Sequence, residues 1–300
     1  MCILLCTVSH PDYAFVLGSN RDEFFSRPTQ KAEFIDGRYL MPVDLAREEH
    51  GTWIGVSRGG RFCALVNYRE DVYPCQMGAI SRGRISRDFL ESELEPVEWA
   101  EDIRRRTDNF ANIGGFSLLF GVLNSSNCEN SLYVISNRVE GLVRPFADEK
   151  GDYRVLGLSN SSIFQPWPKV WRGKELFNTM LSQRTVQDKD AMIESVLDIM
   201  CDQYDGLQNG SSMRDNIIDN VPQSVFVPAL ENDLPNDLER RQGHYYGTRT
   251  QTVILLTHDG QLTYVERDIR VGDGNITESL HPQGKASDYY PMSRFDFPLT

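Results

Sequence analysis

The chain opens with short apolar runs broken by turn residues. Ile3 to Val8 and Ala14 to Leu17 are rich in Val, Ile and Leu and flank the turn-prone His10-Pro11-Asp12, a spacing that predicts a β-hairpin. Comparable runs at Trp53 to Val56, Phe62 to Val66, Phe116 to Val122, Ser131 to Ile135, Arg154 to Leu158, Thr252 to Thr257 and Leu262 to Glu266 predict further strands. Gly59-Gly60 and Asp259-Gly260 sit between neighbouring runs and supply the backbone freedom that tight hairpins need, so mainly antiparallel sheets are expected. Helical spacing takes over in between. It predicts helices at Arg87 to Leu94, at Val97 to Arg106 behind Pro96, at Val170 to Leu181 and at Asp190 to Tyr204. In the last of these Met192, Val196, Ile199 and Met200 share one face and acidic residues the other, as in an amphipathic surface helix. Val227 to Tyr245 loses periodicity, carries Pro228 and Pro235, and reads as a long surface loop. Strands, then helices, then strands, with no repeat or linker between, predict one α+β domain over residues 1–300.

Charge narrows the function. The 300 residues hold 31 Lys and Arg against 43 Asp and Glu, a net charge of -12, which suits neither nucleic acid nor an anionic membrane surface. No apolar run reaches the roughly 20 residues of a spanning helix. The N-terminal stretch breaks at Ser9-His10 and its first basic residue, Arg21, follows Asp12, so neither a secretory signal nor a mitochondrial presequence is recognised and a cytoplasmic protein is expected. The six cysteines lack any Cys-x-x-Cys pair and most read as small buried hydrophobes; the four Asn-x-Ser/Thr sequons, at Asn124, Asn160, Asn209 and Asn275, read as chance. Phosphate-loop, dinucleotide and His-Glu-x-x-His motifs are missing, and the five histidines have no ligand spacing, so no metal and no cofactor are expected.

Cys2 carries the first candidate chemistry. Removal of an initiator Met before this small residue leaves a thiol and a free α-amine on one residue, and an amine of pKa about 8 can accept the thiol proton near neutrality. The alternative is a small apolar residue opening a buried strand. Four strongly polar residues, Asn20-Arg21-Asp22-Glu23, follow the apolar run Ala14 to Leu17 on the strand expected to pair with that of Cys2. Arg21 is placed to stabilise a thiolate and Asp22 to orient the amine, against the alternative of a solvated salt-bridge cluster. Arg82, Arg84 and Arg87, with Arg58 and Arg61, form either a phosphate-binding patch or a solvated face. Trp53, Trp167 and Phe164 read as core residues before ligand shelves.

These residues belong to a longer series of blocks: Met1-Cys2-Ile3, Asn20-Arg21-Asp22-Glu23, Gly51-Thr52-Trp53-Ile54-Gly55, Ala64-Leu65-Val66-Asn67-Tyr68-Arg69, Ser81-Arg82-Gly83, Gly115-Phe116-Ser117-Leu118-Leu119, Leu158-Ser159-Asn160, Pro166-Trp167-Pro168-Lys169-Val170 and Tyr246-Gly247-Thr248-Arg249. Over nearly its whole length the chain resembles the NRDE family, the transport and Golgi organisation protein 2 homologues. The resemblance implies an N-terminal-nucleophile (Ntn) hydrolase-like fold, a four-layer αββα sandwich of two antiparallel sheets between helical layers. Related enzymes of that fold, penicillin V acylase and bile salt hydrolase, cleave amides with an N-terminal Cys. By motif position Cys2 matches their nucleophile, Asn160 their later Asn and Arg249 their distant Arg; Asn67 is the candidate for the other Asn, with a satisfied turn amide as its alternative. Those enzymes carry Gly-Arg-Asn-x-Asp where this chain has Ser19-Asn20-Arg21-Asp22-Glu23, and an ungapped match sets Asn20 at their Arg and Glu23 at their Asp.

The expected catalytic set is therefore Cys2, Arg21, Asp22, Asn67, Asn160 and Arg249, with Asn20, Glu23 and Arg82 binding substrate. The expected activity is that of an Ntn-type amidohydrolase or acyl-transfer protein acting on a small acyl, amide or lipid-derived substrate. The alternative is a non-catalytic cytosolic carrier for haem or acyl-coenzyme A-type metabolites, supporting haem trafficking, lipid homeostasis or secretory organisation. In either case haem or acyl-coenzyme A enters as a ligand and not as a cofactor. Mitochondrial or Golgi association is implied by the resemblance alone.

Overall fold

The computed structural model describes residues 1–69, 79–146, 154–183, 188–234, 243–270, 272 and 291–300. The first third of the chain is built of strands: β1 (Ile3–Thr7), β2 (Tyr13–Phe24), β3 (Thr29–Ile35), β4 (Tyr39–Asp44), β5 (Ile54–Ser57) and β6 (Arg61–Asn67). Helices α1 (Gly83–Glu91) and α2 (Pro96–Arg106) lead to β7 (Phe116–Val122), the short α3 (Cys128–Ser131), β8 (Leu132–Ser136), β9 (Leu142–Val143) and β10 (Val155–Ser159). Then come α4 (Pro168–Ser182), α5 (Lys189–Ile199), α6 (Met213–Asn216), β11 (Leu230–Glu231), β12 (Tyr245–Thr257), β13 (Gln261–Asp268) and β14 (Met292–Pro298).

The strands form two antiparallel sheets. One has the order β10-β1-β2-β12-β13-β14 with β11 beside β12, and the other runs β3-β4-β5-β6-β7-β8-β9. Alternating side chains divide each inner strand between two cores. Leu4, Cys6, Phe15 and Leu17 meet Ile54, Val56, Phe62 and Leu119 between the sheets. On the outer face of the first sheet, Ile3, Leu5, Val16 and Val253 are covered by Phe177 of α4 and Val196 of α5. Phe89 of α1 and Trp99 of α2 cover Cys63, Leu118 and Phe120 on the outer face of the second. These three cores define four layers, αββα, as the resemblance implies. Both faces of the inner strands are buried, which is why they read as continuous apolar runs.

Local signals start the helices at the ends of these layers. Pro96 occupies the first turn of α2, where its missing N–H costs nothing, and the Asp188 carboxylate accepts from Ala191 N–H (2.8 Å) to cap α5. Phe89, Trp99 and Phe120 dock the α1–α2 layer edge to face, with ring centroids 4.8 to 5.0 Å apart.

Several elements depart from the expectations. β2 does not stop at Leu17 but continues through the polar cluster to Phe24, because tertiary partners such as Gln251 for Asn20 and Thr248 for Asp22 take up its polar side chains. β3, β4 and β14 were not expected: β3 and β14 expose charged residues (Lys31 and Glu33, Arg294 and Asp296) between their apolar ones, and the buried run Leu40 to Val43 of β4 is interrupted by Pro42. Val227 to Leu230 are buried, so the start of the supposed surface loop is core, while 235–242 lie outside the described residues, as do Cys75, Asn275 and His281. Phe164, expected in the core, is 68% exposed. Among the described residues no helix is long and apolar enough to cross a membrane.

Candidate active site

Strand register brings the polar residues together. Ile3 lies opposite Asn20 on β2 and opposite Ser159 on β10, so one further step along β1 sets Cys2 between Arg21 and Asn160. The Ser159 hydroxyl donates to the Cys2 carbonyl (2.7 Å) and holds that step in place. Cys2 packs against the core between the sheets, the side on which the Arg21 guanidinium lies over Trp53, 4.2 Å from the ring centroid. Its neighbours Asn20 and Asp22 turn to the helical side, as alternation along a strand requires.

Asp22 is the hub of the arrangement. Its side chain is fully buried, and Oδ1 accepts from the Thr248 hydroxyl (2.7 Å). Oδ2 lies 3.6 Å from Lys169 Nζ and 3.8 Å from the α-amine of Met1. The Asp22 main-chain carbonyl accepts from that amine (3.1 Å) and from the Tyr246 hydroxyl (3.2 Å), with Cys2 Sγ 4.0 Å away. Lys169, also fully buried, donates to the Met1 carbonyl (3.1 Å).

Burial is the largest influence on each ionisable group here. It pulls the α-amine and the Lys169 ammonium below their ordinary values, with Asp22 opposing it in both cases. It pushes the Asp22 carboxyl up against the pull of the amine and Lys169, and the Cys2 thiol up against the pull of the amine. Two cations therefore share one buried carboxylate, and either amine gives up a proton more readily than it does in water. A neutral amine beside a protonated thiol is the pairing that lets the thiol lose its proton only when it reacts.

On the other side of β2, Arg21 reaches Glu23 (Nη2 to Oε2, 3.4 Å), and Glu23 also faces Arg27 at 3.6 Å. Burial opposes ionisation of Glu23, but Arg21 and Arg27 outweigh it and hold the carboxyl below its ordinary value. Arg249 sits in an irregularity of β12 between Thr248, opposite Asp22, and Thr250, opposite Arg21. It donates to the Arg27 carbonyl and to the Thr29 hydroxyl (2.9 Å), and burial, followed by the like charge of Arg21, lowers its pKa. Arg249 thus adjoins Arg21 one strand further from Cys2. Arg21 Nη1 and Arg249 Nε are buried without a hydrogen-bond partner.

The remaining expected residues separate into near and far. Asn160 Nδ2 donates to the main-chain carbonyl of Asn67 (2.7 Å), which joins β10 to the end of β6 and sets both asparagines at the Cys2 end of the gap between the sheets. Asn20 lies apart. Its amide donates to the Met200 and Val225 carbonyls (2.8 and 2.9 Å) and accepts from Gln251 (2.9 Å) under α5, so its polar atoms are spent inside the core. Arg82 donates to the Gly115 carbonyl (3.3 Å), which also accepts from Tyr68 N–H, and so borders the Asn67 end of β6. The supposed arginine patch is dispersed: Arg61 binds the Phe89 and Leu94 carbonyls, Arg58 lies over Phe34, and Arg87 pairs with Glu91.

Lys169, Thr248 and Tyr246 were not foreseen as members of this group. For Lys169 a signal exists in the sequence, because it falls in line with Gly173, Phe177 and Leu181 at four-residue steps, on the buried stripe of α4. A lysine in such a stripe needs a buried partner. Among the described residues no group of three or more His, Cys, Asp or Glu is placed to hold a metal ion.

Fold and site together define a four-layer α+β protein whose polar site is built around its own N-terminus. The chain belongs to the Transport and Golgi organisation 2 family, whose model matches residues 1–271. It is 30% identical to the Transport and Golgi organization protein 2 homolog of Homo sapiens over 90% of this chain and 93% of that one. The relative from Mus musculus is 28% identical with the same coverage. Among solved structures, the N-acylethanolamine-hydrolyzing acid amidase ortholog of Caenorhabditis elegans matches with a TM-score of 0.45 at 12% identity, over 85% of this chain and 92% of that one.

Proposed function

We propose that the protein is an Ntn-type amidohydrolase or acyl-transfer enzyme in which Cys2, freed of Met1, is the nucleophile. The observation that supports this most is the buried Asp22, whose main-chain carbonyl accepts from the chain's α-amine (3.1 Å) and lies 4.0 Å from the Cys2 thiol. Removal of Met1 puts the amine on Cys2 itself. Its nitrogen takes the thiol proton as sulfur attacks a substrate carbonyl, and the resulting ammonium then protonates the departing amine or alcohol. Water, or a second acceptor, releases the acyl group from sulfur by the same proton path. Asp22 and Lys169 hold the amine in place and set its proton affinity, while Arg21 lies near the developing thiolate. Asn67 and Asn160 border the place of the oxyanion. The substrate is a small acyl, amide or lipid-derived molecule, and the compartment is the cytosol.

One observation favours the second reading, a non-catalytic carrier for haem or an acyl-coenzyme A-type metabolite. One N–H of the Asn160 amide is spent on the Asn67 carbonyl, which leaves it a single N–H to offer an oxyanion.

Intact-mass analysis with a thiol-directed acyl donor separates the two. The enzyme reading expects loss of Met1, one acyl adduct on Cys2 that turns over in water, no turnover by Cys2→Ala and slow turnover by Cys2→Ser. Retention of Met1 in protein made in its native cytosol, or full function of Cys2→Ala in a deletion strain at equal protein level, decides for the carrier.

A further inference from the structure

Met1 is more than an unprocessed end. Its side chain packs against a buried apolar cluster that includes Phe24, Leu207, Met213, Val227, Leu230 and Tyr246, while its carbonyl accepts from the buried Lys169 (3.1 Å). One acyl group on the Cys2 nitrogen and the same group on the Cys2 sulfur are isomers related through a five-membered ring. An acyl carbon on sulfur can therefore sit within one ring closure of the position that the Met1 carbonyl carbon holds on nitrogen. We infer that Met1 occupies the acyl-binding pocket of this site, and that its removal opens the pocket for a straight-chain aliphatic acyl group of about methionine's length. This inference rests on the proposed removal of Met1 and extends that reading to the class of substrate.

The lining decides the chemistry. The wall residues named are apolar apart from the Tyr246 hydroxyl, which is engaged by the Asp22 carbonyl, and methionine is unbranched, so an unbranched hydrocarbon chain replaces it with similar packing. Counted from the carbonyl carbon, hexanoyl has the same reach as methionyl. At the mouth, Lys169 and the α-amine both face the single carboxylate of Asp22, and they still do when the amine passes to Cys2. Lys169 loses the Met1 carbonyl at that moment. A carbonyl or carboxylate oxygen at the head of an acyl chain restores the lost hydrogen bond. A longer chain needs room beyond the reach of Met1, and the half-buried Ile217 packs on the same cluster and competes for that room.

The test uses the full chain carrying Cys2→Ala, which keeps a small second residue and removes the nucleophile. One preparation is made normally, and a second, of identical sequence, with methionine aminopeptidase inhibited so that Met1 stays. Calorimetric titration with sodium hexanoate and sodium acetate then reads the pocket directly. Each buried methylene contributes roughly fourfold in affinity, so hexanoate should bind the Met1-free protein more than tenfold tighter than acetate and the Met1-retaining protein not at all. Ile217→Trp, at the edge of the cluster, should weaken octanoate more than hexanoate. Equal binding to both preparations, no binding to the Met1-free one, no preference for hexanoate over acetate, or retention of Met1 in the normal preparation each overturns the inference. Acyl donors of the two lengths offered to the wild-type protein keep the two readings apart. Acylation of Cys2 with no chain-length preference leaves the enzyme and removes the pocket. Hexanoate binding without any acylation leaves the pocket and removes the enzyme.

Discussion

The ammonium of Lys169 and the carboxylate of Asp22 face each other at 3.6 Å, both wholly out of solvent, beneath the carbonyl of Met1. Lys169 is on α4 and Asp22 on β2, so the pair ties the helical layer to the sheet at the point where the chain begins. Breaking such a pair from one side leaves an uncompensated buried charge. Lys169→Met should cost about 3 kcal/mol in urea unfolding, whereas Lys169→Met combined with Asp22→Asn should cost clearly less than the sum of the two single changes. Additive costs in the double-mutant cycle would show that the two groups do not interact.

Asn20 lies on the same strand two residues away, yet its amide is saturated by Met200, Val225 and Gln251. Asn20→Ala should lower stability by about 2 to 4 kcal/mol through the groups it leaves unpaired, and leave acylation of Cys2 unchanged once the protein is folded. Weakened substrate affinity at unchanged stability would return Asn20 to the binding site.

Glu266 makes stability depend on pH. Burial, opposed by the hydrogen bond from Ala32 N–H (2.8 Å), raises its pKa from 4.5 to about 7. Between those values the folded protein keeps a proton that the unfolded chain has lost, so stability is full below pH 4.5 and falls as pH rises through about 7. The contribution is at most roughly 3 kcal/mol. The Tm of the wild type should therefore lose this contribution between pH 5 and pH 8, and Glu266→Gln should flatten that part of the profile. An identical slope in the variant removes Glu266 as the cause.

Gly247 lets β12 pass the segment that lines the Met1 cluster. A Cβ there would stand 2.4 Å from the Pro228 carbonyl oxygen and 2.9 Å from that of Val227, and both obstacles are backbone. Gly247→Ala should cost about 1 to 3 kcal/mol by forcing that segment outward. Gly37, with φ +67° and nothing within 4 Å of its Cβ position, provides the control. Gly37→Ala should cost only about 1 kcal/mol, from backbone conformation alone. Equal costs in urea unfolding would mean that the close approach at Gly247 is relieved at no expense.

The inner strands and the helices over them could be read from the chain, because burial on one or both faces leaves an apolar period that needs no knowledge of the partner. The run Phe116 to Val122 is β7 to the residue, and Pro96 marks the start of α2. Cys2, Arg21 and Asp22 stood out for the chemistry of their side chains. What the chain could not show was which of its polar residues share a face. Asn20, Arg21, Asp22 and Glu23 are neighbours in sequence, but strand alternation sends Arg21 toward Trp53 and Asp22 toward Lys169, and only the pairing with β1 and β10 decides that Cys2 lies between Arg21 and Asn160. Lys169 shows the division within one residue. Its place on the stripe of Gly173, Phe177 and Leu181 requires that it be buried, a property of helical period alone, while the carboxylate that makes such burial tolerable comes from a distant strand and exists for it only once the layers have packed.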